Sequence, residues 1–325
     1  MPKVRIILPT YNRRMLLGEA LGSALAQTFS DYELLVVDDG STDNSRSVVE
    51  EIAGGDSRIR YVFQENGGVA RARNRGISES GEYEYLAFLD SDDLWAATHL
   101  EEAVRALDNE PEAVLCFGRR SLVDRDGAFE RERAQDLHDS RLDGLRRTAS
   151  ALGGDSGWRL LVADVRSALL EGRFSPWTSS VVVRRSRVSR SWWFDTELEV
   201  LEDVEFYLHV SESPFLLLDS VQGSYRRFGD NLTASQGLGS PVTLRRQRSA
   251  LRFCMMKLGL CRKRSERRAV LAEIANFAYI VGQCHAEQGD RTAARTYYLQ
   301  SLQSRPTVGV FRSYAGSWLP RRSRS

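Results

Sequence analysis

The sequence predicts an α/β protein, a mostly parallel sheet flanked by helices, continued by an all-α C-terminal region. Three observations carry this. Apolar runs of strand length alternate with helix-period segments five times in the first 120 residues, the pattern of a parallel, helix-covered sheet. Four of those runs end in polar clusters rich in Asp, Asn and Gly. From about Pro241 onward only helical periodicity remains.

The elements follow in order. Val4 to Leu8 is a strand that ends at Pro9-Thr10-Tyr11-Asn12. Thr10 or Asn12 is placed to cap a helix running to about Gln27, with Leu16, Leu17, Ala20, Leu21, Ala24 and Leu25 on one face. Tyr32 to Val37 is the second strand, closed by Asp38-Asp39-Gly40-Ser41, with Thr42 or Asp43 as the next helix cap. Ile59 to Phe63 is the third, and Asn66-Gly67-Gly68 opens a helix from about Val69 to Ser78. Tyr85 to Leu89 has no helical period, reads as a buried strand, and runs into Asp90-Ser91-Asp92-Asp93. A helix over Ala96 to Leu107 and a fifth strand over Ala113 to Gly118 follow.

Beyond this, Val123 to Phe129 reads as a hairpin with an Asp-Gly turn, and residues 130–157 as a polar, Arg-rich lid or solvated helix. Trp158 to Leu170 reads as a helix, Thr178 to Arg184 as a strand and Glu202 to Val210 as a helix; Phe215 to Leu218 and Gly223 to Arg227 read as strands. Residues 1–240 are expected to form one domain and 241–325 a helical extension. Within it, Ala272 to Pro306 has the shape of a single tetratricopeptide-like helix pair, or of a plain helical hairpin.

Composition narrows the function. The chain has 325 residues, 42% of them hydrophobic, and a net charge of +1, so the whole molecule is not a polyanion binder, and no nucleic-acid partner is expected. The last third is locally basic, with clusters at Arg245-Arg246, Arg262-Lys263-Arg264, Arg267-Arg268 and Arg321-Arg322. Cys116, Cys254, Cys261 and Cys284 show no metal-ligand spacing, which reads as a reduced, cytoplasmic chain. Met1 to Arg5 leads straight into a strand, with no leader pattern, and no apolar run reaches membrane-spanning length.

The chemistry lies at the strand ends. In a parallel sheet the four polar clusters fall on one edge, where open α/β sheets bind ligands. Together they supply acceptors (Asp38, Asp39), an aromatic surface (Tyr11), backbone donors at a Gly-rich helix start (Gly67, Gly68) and an acidic corner. Asp90, Asp92 and Asp93 repel one another, and a hard divalent ion shared with substrate phosphates would relieve this; an acidic turn capping a helix is the plainer account. The set suits a nucleotide carrying a diphosphate. A GxGxxG fingerprint and a Walker A loop are absent, which counts against dehydrogenases and P-loop NTPases.

These segments resemble a known family. Ile6 to Arg13, Leu34 to Asp43, Asn66 to Gly76 and Phe88 to Asp93, in that order, are similar to the motifs of the family 2 glycosyltransferases of the GT-A fold, over about residues 3–235. The resemblance implies an inverting transfer of a sugar from a nucleotide-diphosphate donor, usually a UDP-sugar, to an acceptor hydroxyl, in polysaccharide or glycoconjugate biosynthesis. It implies that Pro9, Thr10, Tyr11 and Asp39 hold base and ribose, with Asn66 and Gly67 beside them. Asp90 is then assigned to the ribose or sugar, and Asp92 to Mg²⁺ or Mn²⁺. Glu202-Asp203 is similar to the family's ED motif, with Asp203 as general base. Ser175 to Ser180 resembles its acceptor-side strand, and Tyr225 to Thr233, with Arg226, the loop over the donor. Trp177, Trp192 and Trp193 are candidates for an acceptor-stacking face, although packing is the commoner use of Trp.

Other readings remain at this stage. One is a non-catalytic nucleotide-sugar-binding or assembly subunit, against which the retained Asp90, Asp92 and Asp203 argue. Another is a nucleotidyltransferase, which would want a Gly- and Arg-rich loop after the first strand. The acceptor is expected to be a sugar, a lipid-linked molecule or another hydroxyl compound. The basic tail, with Val310, Phe311, Tyr314, Trp318 and Leu319 before Arg321-Arg322, suggests peripheral contact at the inner membrane face.

Overall fold

The computed structural model describes residues 2–79, 81–124, 157–161, 165–189, 193–226 and 237–318. The expected hairpin turn at 125–129, the lid at 130–156, Trp192, the segment 227–233 and the tail beyond Trp318 lie outside them. The chain divides into two compact units: residues 1–169, 173–196 and 202–228, and residues 170–172, 197–201 and 229–325.

The first unit is a mixed sheet with helices on both faces. Strand β1 (Val4–Thr10) lies between β2 (Tyr32–Asp38) and β4 (Tyr85–Phe88), with β3 (Ile59–Phe63) outside β2, all parallel. Every residue of β1 is buried. That is the physical reason Ile6, Ile7 and Leu8 follow one another without alternation, while the buried Arg5 is paired with Glu33. Helices α1 (Arg14–Leu25) and α4 (His99–Asn109) cover one face: Leu17, Leu21, Leu100, Val104 and Leu107 pack with Val4, Ile6, Leu8 and Val36. Helix α3 (Val69–Ser78) packs on the other face, where Gly76 lies against Ile7. Helix α2 (Ser45–Ala53) packs beside α1. Full burial of each such Leu or Ile contributes about 1.5–3 kcal/mol.

The rest of the sheet is mixed, in keeping with the mostly parallel sheet expected. Beyond β4 comes β8 (Val182–Arg184), antiparallel to both β4 and β6 (Leu115–Val123). Next is β9 (Phe215–Arg226), parallel to β6, with β5 (Leu94–Trp95) and β7 (Trp158–Leu161) antiparallel to it. Six local expectations change. Trp158–Leu161 is a strand because β9 pairs with it, and only Val165–Leu170 (α5) is helical. Thr178–Ser180 is a short 3-10 turn, leaving β8 three residues long. The two strands expected over 215–227 are one, with register shifts opposite Gly118 to Arg120. The fourth helix starts at His99 because Leu94 and Trp95 pair with Ser224 and Gly223. Neither Asn12 nor Thr10 caps α1, since Arg13 occupies the cap without a side-chain bond. At α2 the cap position is Asn44, while the Asp43 carboxylate accepts from the Ser45 amide.

The second unit is helical. Its helices are α7 (Pro241–Leu260), α8 (Arg264–Glu287), α9 (Arg291–Ser304) and α10 (Val308–Gly316), numbered after α6 (Glu202–Val210) of the first unit. The helix pair expected over 272–306 is α8 and α9, with α8 starting earlier. Their turn uses Gly289 at φ 83, and the Asp290 side chain accepts from the Ala293 amide. Leu251, Cys254, Val270, Ile274, Ala278 and Val281 form one core, and Ala294, Tyr298 and Val310 a second.

One close approach fixes β5 against β9. A Cβ on Gly223 would lie 2.1 Å from the Leu94 carbonyl oxygen. Gly223→Ala should therefore separate the two strands and cost about 3 kcal/mol or more. A thermal melt checks this; an unchanged Tm would mean that the pairing yields without penalty.

Candidate active site

The register of β3, β2, β1 and β4 brings their C-terminal ends together. Thr10 pairs with Asp38, Asp38 with Phe63, and Ile7 with Phe88. The first two loops are stitched across: the Asn12 amide donates to Ser41 Oγ (2.9 Å), the Thr42 amide to Asn12 Oδ1 (2.8 Å), and the Arg14 amide to Asp43 (2.9 Å). Asn12 adopts φ 50 to do this, a left-handed conformation that Asn tolerates better than most residues. Pro9 is buried beneath this rim, and Tyr11 stands half exposed on it. Thr10 Oγ1 is buried with no hydrogen-bond partner among the described residues, a group that a ligand or water would satisfy.

Asp38 and Asp39 are both buried and largely committed inside the protein. Asp38 accepts from the Ser41 amide (2.7 Å) and Tyr61 hydroxyl (2.7 Å). Asp39 accepts from Gln64 Nε2 (2.6 Å) and from the amides of Gly67 (2.9 Å) and Gly68 (2.8 Å). The Gly-rich helix start expected to cradle an anion thus spends those donors on Asp39. Asn66 is exposed and donates to the Asp39 carbonyl (2.9 Å).

The acidic corner splits into three roles. Asp93 is structural: it is buried and accepts from Ser179 Oγ (2.6 Å), Trp177 Nε1 (2.9 Å) and the Arg226 amide (3.3 Å). Asp90 pairs with Arg73 (2.7 Å) and keeps its side chain partly exposed. Asp92 has no such support. Its nearest cation is Arg13 Nε at 3.9 Å, beyond hydrogen-bond length. Loss of water first, and then the Asp90 charge, push it up to about 6. Arg226, expected in a loop over the donor, lies on β9, fully buried, with Nη2 on Glu19 (2.6 Å).

On the other side, α6 begins with Glu202 and Asp203. Leu201 precedes them at φ 67, a conformation rare for Leu and typical of strained functional segments. Asp203 accepts from Thr178 Oγ1 (2.9 Å) and the Val204 amide (2.8 Å), and Thr178 in turn accepts from the Tyr207 hydroxyl (3.1 Å). Burial raises Asp203 above the usual carboxylate value against the pull of Arg73. Glu202, buried and next to Asp203, is raised to about 7.

Arg73 joins the two sides. Its guanidinium is 3% exposed and donates to Asp90 Oδ1 and to Glu202 Oε1, each at 2.7 Å, with its plane near the Phe194 ring. In the sequence this arginine stands inside the Asn66 to Gly76 segment with no role of its own. A signal was present: Ala70, Arg73 and Gly76 share a helical face, so small neighbours at three residues on either side leave Arg73 the inward position. Trp177 and Trp193, candidates for sugar stacking, are instead packing residues; Trp193 is fully buried and stacks on Phe206 at 5.3 Å.

Among the described residues no group of three or more His, Cys, Asp or Glu side chains is arranged to hold an ion alone. The poorly compensated Asp92 carboxylate, an oxygen donor beside Asp90, nevertheless fits a hard divalent cation that takes further oxygens from a diphosphate.

A profile of glycosyl transferase family 2 matches residues 5–158, just under half of this chain. EpsH of Bacillus subtilis, which bears a glycosyltransferase name, is 33% identical over 138 residues, 42% of this chain and 40% of EpsH. TuaG of the same organism, named for teichuronic acid biosynthesis, is 37% identical over 127 residues, 39% of this chain and 50% of TuaG. The chain thus matches half or less of these relatives' lengths. Residues 1–349 of Staphylococcus aureus TarS, solved with UDP-GlcNAc, share the fold at TM-score 0.55 and 17% identity, over 97% of this chain and 92% of that one. A Pyrobaculum calidifontis mannosyltransferase solved with GDP-Man and Mn²⁺ does so at TM-score 0.56 and 17% identity, over 97% and 84%.

The raised Asp92 carboxylate gives a pH prediction. Asp92 keeps a proton in the folded chain at pH values where the unfolded chain has released it. Its contribution is full below the unfolded value near pH 4 and is lost as pH rises through about 6. In metal-free buffer Tm should fall between pH 5 and 7.5. Asp92→Asn, which cannot ionise, should stabilise the protein at pH 7.5 by about 1–2 kcal/mol and flatten that slope. A variant melting with the wild-type slope would show that Asp92 carries no charge strain.

Proposed function

We propose that this protein is an inverting glycosyltransferase that moves a sugar from a nucleotide-diphosphate donor to an acceptor hydroxyl. The observation that carries the proposal is the position of Asp203: a carboxylate oriented by Thr178 and fastened, through Glu202 and Arg73, to the Asp90 corner. A base on one side and a charge-tolerant corner on the other are what single-step inversion requires.

In this reading the base and ribose of the donor lie along Pro9, Thr10, Tyr11 and Asp39, with Asn66 and Gly67 beside them, and a UDP-sugar is the first donor to try. Tyr11 offers the exposed ring and Thr10 the unsatisfied hydroxyl. Asp90 orients the sugar or ribose. Asp92 would hold Mg²⁺ or Mn²⁺, which when bound neutralises charge on the departing diphosphate. The acceptor oxygen forms its bond to the anomeric carbon as the bond from that carbon to the phosphate oxygen breaks. The hydroxyl proton passes to Asp203, and the nucleoside diphosphate leaves with the bonding electrons. Burial raises the basicity of Asp203 above that of a solvated carboxylate. Polysaccharide or glycoconjugate assembly, including lipid-linked acceptors, is the setting that fits this chemistry; Arg226 serves as a scaffold for Asp93 behind the donor corner.

Donor hydrolysis by the purified chain across a panel of nucleotide sugars, with Mn²⁺ or Mg²⁺ and with chelator, identifies the donor. Asp203→Asn keeps the shape of the side chain and removes the proton acceptor. It should lower the transfer rate about a hundredfold to ten-thousandfold, with donor binding by calorimetry close to wild type. Binding without turnover in the wild-type protein would point to a non-catalytic sugar-nucleotide subunit. Normal turnover in Asp203→Asn would move the base elsewhere, with Glu202 the next candidate.

A further inference from the structure

Helix α10 carries apolar side chains on two faces. Val310 and Tyr314 pack inward against Ala294, Tyr298 and Leu302. Val308, Phe311 and Ala315, followed by Trp318, recur at spacings of three, four and three residues and so form a second stripe. This stripe faces water: Val308 is 69% exposed, Phe311 61% and Trp318 60%. Trp318 is held in that position. The Arg295 guanidinium lies 3.9 Å from its ring centroid and donates to the Ser317 carbonyl at 3.0 Å.

Charge decides what covers the stripe. From Arg291 to Ser325 the only charged side chains are arginines, and the sequence has no Asp or Glu there. Arg305 and Arg312 are both exposed next to the stripe. An apolar stripe with a fixed indole, on a segment whose only charged side chains are arginines, matches the boundary between acyl chains and anionic headgroups: rings enter the boundary while arginine stems reach up to phosphate. We propose that the Val308–Trp318 stripe seats this protein on an anionic lipid surface, lying in the plane of the interface. The proposal is independent of the transfer chemistry.

The test is cosedimentation of the full chain with vesicles of phosphatidylcholine alone and with vesicles containing phosphatidylglycerol. Binding is expected only to the anionic vesicles, and it should weaken strongly at about 1 M salt, where the screening length shrinks to about 3 Å. Phe311→Ser combined with Trp318→Ser should weaken it about tenfold or more. Both positions are exposed, so an unchanged Tm separates lost docking from lost folding. Absence of wild-type binding to anionic vesicles, equal binding to neutral ones, or undiminished binding of the double variant would overturn the proposal. A wild-type dimer in sedimentation equilibrium that the double variant abolishes would also overturn it, because a second copy would then be the occupant.

Discussion

Everything at the candidate site depends on one buried arginine. Arg73 is nearly inaccessible to water and bonded to two carboxylates that arrive from distant parts of the sequence, Asp90 after β4 and Glu202 at the start of α6. A buried cation is tolerated only when it is paired and hydrogen-bonded. The converse also holds: the carboxylates it pairs would repel each other without it. Removing one member of such a set leaves an uncompensated charge and typically costs about 3–5 kcal/mol. The same guanidinium acts on Asp203 and opposes its rise in basicity. Position and proton affinity of the proposed base therefore answer to one side chain.

The neighbouring hydrogen bonds extend this constraint. Ser179 donates to Asp93 and accepts from the Asp90 amide, while adjacent Thr178 holds Asp203. A single 3-10 turn thus touches both acidic motifs. Trp177, at the head of that turn, donates to Asp93 as well. The result is a rigid frame around one carboxylate left poorly compensated, Asp92, and one held at raised basicity, Asp203. A site that stores like charge in this way is costly for the empty protein and favourable once a cation or a proton arrives.

The sequence made the first half of this frame legible. Unbroken apolar runs such as Tyr85 to Leu89 read as strands buried on both faces, and their polar ends fall on one edge of a parallel sheet. In the second half β6, β8 and β9 were expected near their places, but their directions, and the strands β5 and β7, are set by pairing. Nothing in Val182 to Arg184 announces an antiparallel strand between two parallel ones, and Trp158 to Leu161 takes its strand form from β9. At the site, Asp90, Asp92 and Asp203 could be nominated from motifs, but their division of labour could not. That Asp93 is a fastener, that Gly67 and Gly68 serve Asp39, and that Trp193 is core all follow from tertiary contacts with residues far along the chain. Arg73 was visible as a motif letter, and only its burial between two carboxylates explains it.

The central claim is that Arg73 makes the Asp90 corner and the Asp203 base a single functional unit. A double-mutant cycle on transfer rate, with Arg73→Ala, Asp203→Asn and the two combined, tests it most directly. Residues acting as one unit lose activity non-additively, so once Arg73 is removed the further loss of Asp203 should cost little, and the combined variant should be about as slow as the slower single one. Fully multiplicative losses would contradict the account, because they would mean that the base works whether or not the bridge is in place.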